Sequence, residues 1–303
     1  MRRLTSCILL ISLAGLILSQ LACQVARIGA EAAAPELTTT PFLRVMSFNV
    51  RYNTPSDSAN AWPYRKDLAA SMIRFHHADL AGLQEASKGH IDDLVERLPE
   101  YGWFGVGRDD GQEGGEFSAI FYRRDRVELL DGSTFWLSEE PDSAGSIGWD
   151  ADYTRIVTWG RLRDRATGRI FFHFNTHFDH IGEQARLESA RLLVTRVKQL
   201  AGTEPVIVTG DFNCREFSEP YQTLTDSTST GSLRDARYLS IHGHHGPTGT
   251  WSGFEVAGTP GEKIDHIFVK NGVRVLQHGV LSDTFDGRFP SDHLPVLVEV
   301  IIE

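Results

Sequence analysis

The chain has 303 residues, 41% of them apolar and 23% charged, with a formal net charge of −10. These values exclude a disordered, fibrous or repetitive chain and supply enough apolar residues for one large two-sheet domain or two small ones. No Lys/Arg cluster is dense enough to form a basic stripe. That argues against tight DNA or RNA binding, while leaving open a nuclease that works through a metal and a few arginines.

At the N-terminus, Arg2 and Arg3 precede an apolar run from Ile8 to Leu18 that is too short to span a bilayer, the pattern of a secretory signal. Residues 1–22 are therefore set apart as a signal peptide. Leu21-Ala22-Cys23 resembles a bacterial lipoprotein box, although Gln20 stands where such a box usually carries an aliphatic residue. Lipidation of Cys23 is the favoured reading, and ordinary cleavage near Ala30 to Ala34 competes with it. Either way the mature protein is expected outside the cytoplasm, lipid-anchored to a bacterial membrane or secreted, and a membrane is contacted only through Cys23. With Cys7 inside the signal, Cys214 has no disulfide partner and reads as a small buried residue rather than a reactive thiol. Residues 23–41, with Pro35 and Pro41, form a tether, and residues 42–303 the folded domain.

Along that domain, 43–50 is a first strand ending near Asn49, 64–77 a helix with Leu68, Met72, Ile73 and Phe75 near one stripe, and 79–85 a short strand closing on Glu85. A glutamate ending an apolar strand is expected to be paired or to hold a cation. A short helix over 91–98 follows, then a glycine-rich surface loop, 105–115. Strands over 117–123, 127–131, 154–163 and 169–176 come next, the last running into His177. An amphipathic helix, 184–200, leads to the strand 205–209 and then to Gly210-Asp211-Phe212-Asn213. On an extended backbone Asp211 and Asn213 would point the same way; taken alone, the tetrapeptide reads as a turn.

After a short helix over 218–225, the loop 242–246 carries three histidines with no nearby carboxylate or thiolate, an exposed loop rather than a zinc site. Trp251 and Phe254 are candidates to line a pocket or form an aromatic lid, with core packing as the default reading. Two strands close the chain, 263–269 and 294–302. Asp265 inside the first requires a cationic or hydrogen-bonding partner, for which a histidine from another strand is the nearest chemical match. Asp292 and His293 introduce the second.

Separate strand edges thus carry Asn49, Glu85, His177, Asp211 with Asn213, and Asp292 with His293, and Asp265 adds a sixth position. Each is explicable as turn chemistry, but all of them at the same kind of place are not. Ser47-Phe48-Asn49, Leu83-Gln84-Glu85, Asn175-Thr176-His177, Gly210-Asp211-Phe212-Asn213, Ile264-Asp265-His266 and Ser291-Asp292-His293-Leu294-Pro295-Val296 together resemble the endonuclease/exonuclease/phosphatase family of metal-dependent phosphoesterases. The resemblance covers about 250 residues. It implies an α/β fold, a four-layer α/β/β/α sandwich of two mixed sheets with the site at one end.

It also implies roles. Asn49, Glu85 and Asp292 would offer oxygens to a hard cation, Mg2+ or Mn2+ rather than zinc. His293 would act as general base, held by Asp265; His177 would donate to a phosphoryl oxygen; Asp211 and Asn213 would orient water, phosphate or leaving group. Arg155 is a candidate phosphate clamp and Trp251 a candidate substrate contact. The expected partner is a phosphate-ester substrate, phosphodiester or phosphomonoester, with a sugar-linked or lipid-derived molecule favoured over nucleic acid. The alternatives are a nonspecific nuclease of the same family and, less favoured, a non-catalytic binding module on this fold.

Overall fold

A computed structural model of the protein describes residues 42–303. The signal peptide, the Cys23 anchor and the tether expected over residues 1–41 lie outside the described residues.

Two mixed sheets face each other. The first runs, edge to edge, His244–His245, Val273–Val280, Val296–Ile302, Leu43–Asn49, Leu80–Gln84, Ile120–Arg123 and Tyr101–Phe104. The second runs Arg234–Asp235, Asp265–Lys270, Val206–Asp211, Ile170–His177, Ile156–Asp164 and Val127–Trp136. Successive side chains on a strand point to opposite faces, and the packing follows that rule. Leu43 and Val45 join Leu80, Phe171, Ile207 and Ile267 between the sheets. Met46 and Phe48 turn outward onto Met72, Ile73, Ile91 and Leu94 of the helices Lys66–Phe75 and Lys88–Arg97. On the second sheet Phe174 and Val208 turn outward onto Leu193, Val197 and Leu224 of the helices Glu183–Ala201 and Glu219–Thr225. The four layers are therefore helix, sheet, sheet, helix.

The inner layer changes character along its length. Reading every second residue, Leu43 and Val45 give way to Ser47 and Asn49, Phe171 to His173, Asn175 and His177, Ile207 to Thr209 and Asp211, and Val269 and Ile267 to Asp265. Strand register brings these ends together: Asn49 lies opposite Gln84, and Asp211 lies between His177 and Asp265.

Burying so many polar groups is tolerable only because they satisfy one another. Gln84 Nε2 donates to Asn175 Oδ1 at 2.7 Å, and Thr209 Oγ1 donates to the same oxygen at 3.0 Å. Asn175 Nδ2 donates to the carbonyls of Leu83 and Ala119, and His173 Nε2 donates to Thr209 Oγ1 at 2.9 Å. Gly82 is glycine for want of room: a β-carbon there would sit 2.2 Å from Thr209 Oγ1 and 2.5 Å from Asn175 Oδ1.

Several elements differ from the sequence expectation. Val273–Val280 is a strand beside Val296–Ile302 that pattern reading missed, because a register shift between Val275 and Gln277 breaks its alternation. Tyr101–Phe104 is a further unexpected strand, and the strand begun at Val127 continues to Trp136. In the three-histidine loop, His244–His245 pairs with Val273–Val280, and His244 Nδ1 lies 3.0 Å from His278 Nδ1.

Candidate active site

The polar ends of the inner strands open into a cavity of about 560 Å³ whose lining includes Glu85, His177, Asp211, Asn213, Trp251, Asp292 and His293. His293 Nδ1 and Asp265 Oδ2 are 2.8 Å apart, and both residues are buried. Burial alone would lower the imidazole, but Asp265 and Asp211 override it and hold His293 well above its usual value. Asp211 is displaced upward, first by burial and then by the like charge of Asp265; His293, the Asn213 N–H and Asn49 oppose that shift.

Asn49 sits at the centre of the carboxylates. Its Nδ2 donates to Glu85 Oε1 at 2.8 Å and to Asp211 Oδ2 at 2.9 Å, while its Oδ1 accepts the Arg51 backbone N–H at 2.9 Å. Its Oδ1 thus spends one of two lone pairs on the Arg51 N–H, and its amide N–H groups position two carboxylates. Glu85 takes a left-handed backbone, φ +61°, which turns its side chain back so that Oε2 accepts the Tyr52 N–H at 2.8 Å. Ligand atoms of Glu85, Asp211 and His293 lie within 4.8 Å of one another, a group that could hold a metal. Two carboxylates brought this close and bridged only by the neutral Asn49 amide match the oxygen chemistry of a hard cation. Asp292, which burial displaces upward, lines the same cavity with Arg51 Nη1 3.6 Å from its Oδ2.

Asn213 corrects the extended geometry expected of its motif. It adopts φ +45°, and its N–H closes a tight turn on Asp211 Oδ1 at 3.0 Å. Its amide is fixed by donation to the Phe178 carbonyl at 3.0 Å, so the second N–H donates to His177 Nε2 at 3.1 Å. His177, lowered first by burial and then by Arg155 and Arg108, is neutral and carries its proton on Nδ1. From Nε2 it donates only after taking up a second proton. Arg155 is no surface residue: it is buried, its Nε donating to Asp179 at 3.2 Å and its Nη2 to His180 Nδ1 at 3.0 Å.

The fold and these strand ends match the Endonuclease/Exonuclease/phosphatase family over residues 46–293. The chain belongs to that family. Family members are phosphoester hydrolases that depend on a divalent metal, consistent with the donors just described. A family structure from Bacteroides vulgatus is 42% identical, covering 86% of this chain and 99% of that one, with a TM-score of 0.81. A mannosyl-6-phosphatase from Bacteroides thetaiotaomicron is 40% identical, covering 86% and 99%, with a TM-score of 0.80. Nocturnin of Drosophila melanogaster is 29% identical over 184 residues, 55% of this chain but only 26% of its own length.

Sequence reading missed the opposite wall of the cavity. The glycine-rich loop is anchored by Arg108 Nη1 donating to Glu116 Oε2 at 2.7 Å, and that carboxylate lies 3.8 Å from His177 Nδ1. Tyr153 packs beside Arg108 and Arg155 and stacks on His180. Nothing local in this stretch announces Tyr153 and Arg155, which lie about 45 positions beyond Arg108 just before the strand Ile156–Asp164, or His177, which ends the strand Ile170–His177.

A second cluster, Glu216, Asp235 and His266, has the composition of a metal site, but the Lys263 ammonium fills it, 3.0 Å from each. His266 Nε2 in turn donates to the Cys214 carbonyl at 3.1 Å, steadying the turn after Asn213. Burial pushes the Cys214 thiol up to about 12, so it is inert at neutral pH.

Proposed function

We propose that the protein is a divalent-metal-dependent phosphomonoesterase acting on a phosphorylated sugar, outside the cytoplasm. The observation that carries the catalytic reading is the buried Asp265–His293 pair joined to the Glu85 and Asp211 carboxylates on the floor of one cavity. The sugar follows from similarity to the mannosyl-6-phosphatase across nearly all of that protein. The location follows from the signal pattern of residues 1–22.

Glu85 with Asp211 or Asp292 would hold the cation. A cation there would neutralise phosphoryl charge, polarise the P–O bond and offset the carboxylate field around His293. His293, with Nε2 unprotonated, would take the proton of the attacking water, while Asp265 stabilises the imidazolium and fixes its orientation. With Nε2 taken by the Asn213 amide, the neutral His177 serves the site by fixing that amide beside Asp211 and keeps its own proton on Nδ1. Arg108 and Arg155, paired with Glu116 and Asp179, each keep a buried N–H without a hydrogen bond, Arg108 Nε and Arg155 Nη1, that a phosphoryl oxygen would accept.

The test compares kcat/KM for mannose 6-phosphate, bis(p-nitrophenyl) phosphate and a short RNA under the same Mg2+ concentration. The expected result is the highest value for the sugar phosphate; faster turnover of the diester or RNA would overturn the assignment.

A further inference from the structure

Large aromatic side chains are usually covered. Three that line the catalytic cavity are not: Tyr52 is 41% exposed, Tyr153 46% and Trp251 49%. Trp251 is the most deliberately built. A β-carbon on Gly261 would come within 3.2 Å of the indole, and Gly253 takes a left-handed φ of +58°, so glycine at these positions lets the backbone turn against the ring while half the residue stays open.

The platform is also tied to the reacting groups. Ser252 N–H donates to the Asp292 carbonyl and Leu294 N–H to the Thr250 carbonyl, both at 2.7 Å, pairing Trp251 with His293. Thr250 Oγ1 accepts the backbone N–H groups of Ile264 and Asp265 at 3.1 and 3.2 Å. The backbone that carries the ring is therefore fixed relative to both members of the His293–Asp265 pair.

We propose that the open indole of Trp251 is the stacking platform for the pyranose ring of the substrate, a sugar phosphorylated on its exocyclic carbon. A pyranose presents a face of C–H bonds to an electron-rich ring and directs its hydroxyls sideways, where Arg108 and His180 line the opposite wall. The reacting groups are buried while Trp251 stands half open. A phosphate carried on an exocyclic methylene can reach that floor while the sugar ring stays at the rim.

The proposal rests on the phosphorylated-sugar reading, and its test separates the two. The readout is the ratio of kcat/KM for mannose 6-phosphate to that for glycerol phosphate, which carries the same primary phosphate without a ring. In Trp251→Leu the ratio falls about tenfold or more, and in Trp251→Phe, which keeps an aromatic face, it stays within about threefold of wild type. Methyl α-mannopyranoside quenches tryptophan fluorescence of the full chain, and Trp251→Phe removes that quenching. An unchanged ratio in Trp251→Leu, or equal loss in the Leu and Phe variants, overturns the platform while the sugar-phosphatase reading stands. Failure of the wild-type chain to release phosphate from any hexose phosphate overturns both. A larger loss in Trp251→Leu on nucleoside monophosphates than on mannose 6-phosphate overturns the pyranose assignment.

Discussion

Replacing Asp265 by asparagine should lower kcat by about a hundredfold to ten-thousandfold, about 3 to 5 kcal/mol of transition-state stabilisation. The magnitude follows from the geometry. Asp265 Oδ2 lies 2.8 Å from His293 Nδ1 between two buried residues, so the contact is a charge-assisted hydrogen bond shielded from water. Asparagine is nearly isosteric but removes the charge that stabilises the imidazolium. Turned the other way, its amide donates to Nδ1 and forces the His293 proton onto Nε2, the nitrogen that must accept from water. The assay is steady-state phosphate release at saturating substrate and metal, with thermal unfolding of the same preparation to show that the fold persists. A variant folded like wild type and retaining more than about a fifth of its kcat would refute the orienting role of Asp265.

Two further outcomes concern the inner layer on which the site is built. Burial lowers His173 to about 3, whereas an unfolded histidine titrates near about 6.5. The folded state thus keeps this ring neutral while the unfolded state binds a proton, so its contribution to stability is full above the unfolded value and is lost as pH falls below it. Chemical denaturation should show wild type losing about 2 kcal/mol more than His173→Gln between pH 7 and pH 5; parallel losses would contradict the assignment. Gly82→Ala should destabilise by roughly 2 to 5 kcal/mol, because its methyl displaces Thr209 or Asn175 and strands a buried polar atom. An unfolding midpoint within a degree of wild type would show that the two sheets separate there more easily than the contacts suggest.

Much of the site was legible because chemistry sits at strand ends. Apolar runs closing on Asn49, Glu85, His177 and Asp211, and a carboxylate at Asp265 inside an apolar strand, each break the logic of burial in one place. The same sequence hid what depends on backbone conformation or on distant pairing. Asn213 looked extended but is left-handed, a state its own side chain and that of Asp211 stabilise locally. Asn49 offered an oxygen by residue type, but its contact with the Arg51 N–H, beside the left-handed turn at Arg51, and its grip on two carboxylates were not readable. Arg108 lay in what read as a glycine-rich surface loop, with Glu116 just past its end; Asp110 organises that loop by accepting the N–H groups of Gln112 and Gly114. The gradual polar turn of the inner strand faces, Val45 to Ser47 to Asn49 and Ile207 to Thr209 to Asp211, is a period-two signal that becomes readable once the inner face is known.

The most direct measurement is phosphate release from mannose 6-phosphate by the full chain after removal of bound metal, then after addition of Mg2+ or Mn2+. Turnover absent in chelator, restored by either cation and not restored in Glu85→Gln is the predicted result. Release that continues at the wild-type rate in excess chelator would contradict a cation held by Glu85 with Asp211 or Asp292, and with it the proposed metal-dependent phosphomonoesterase.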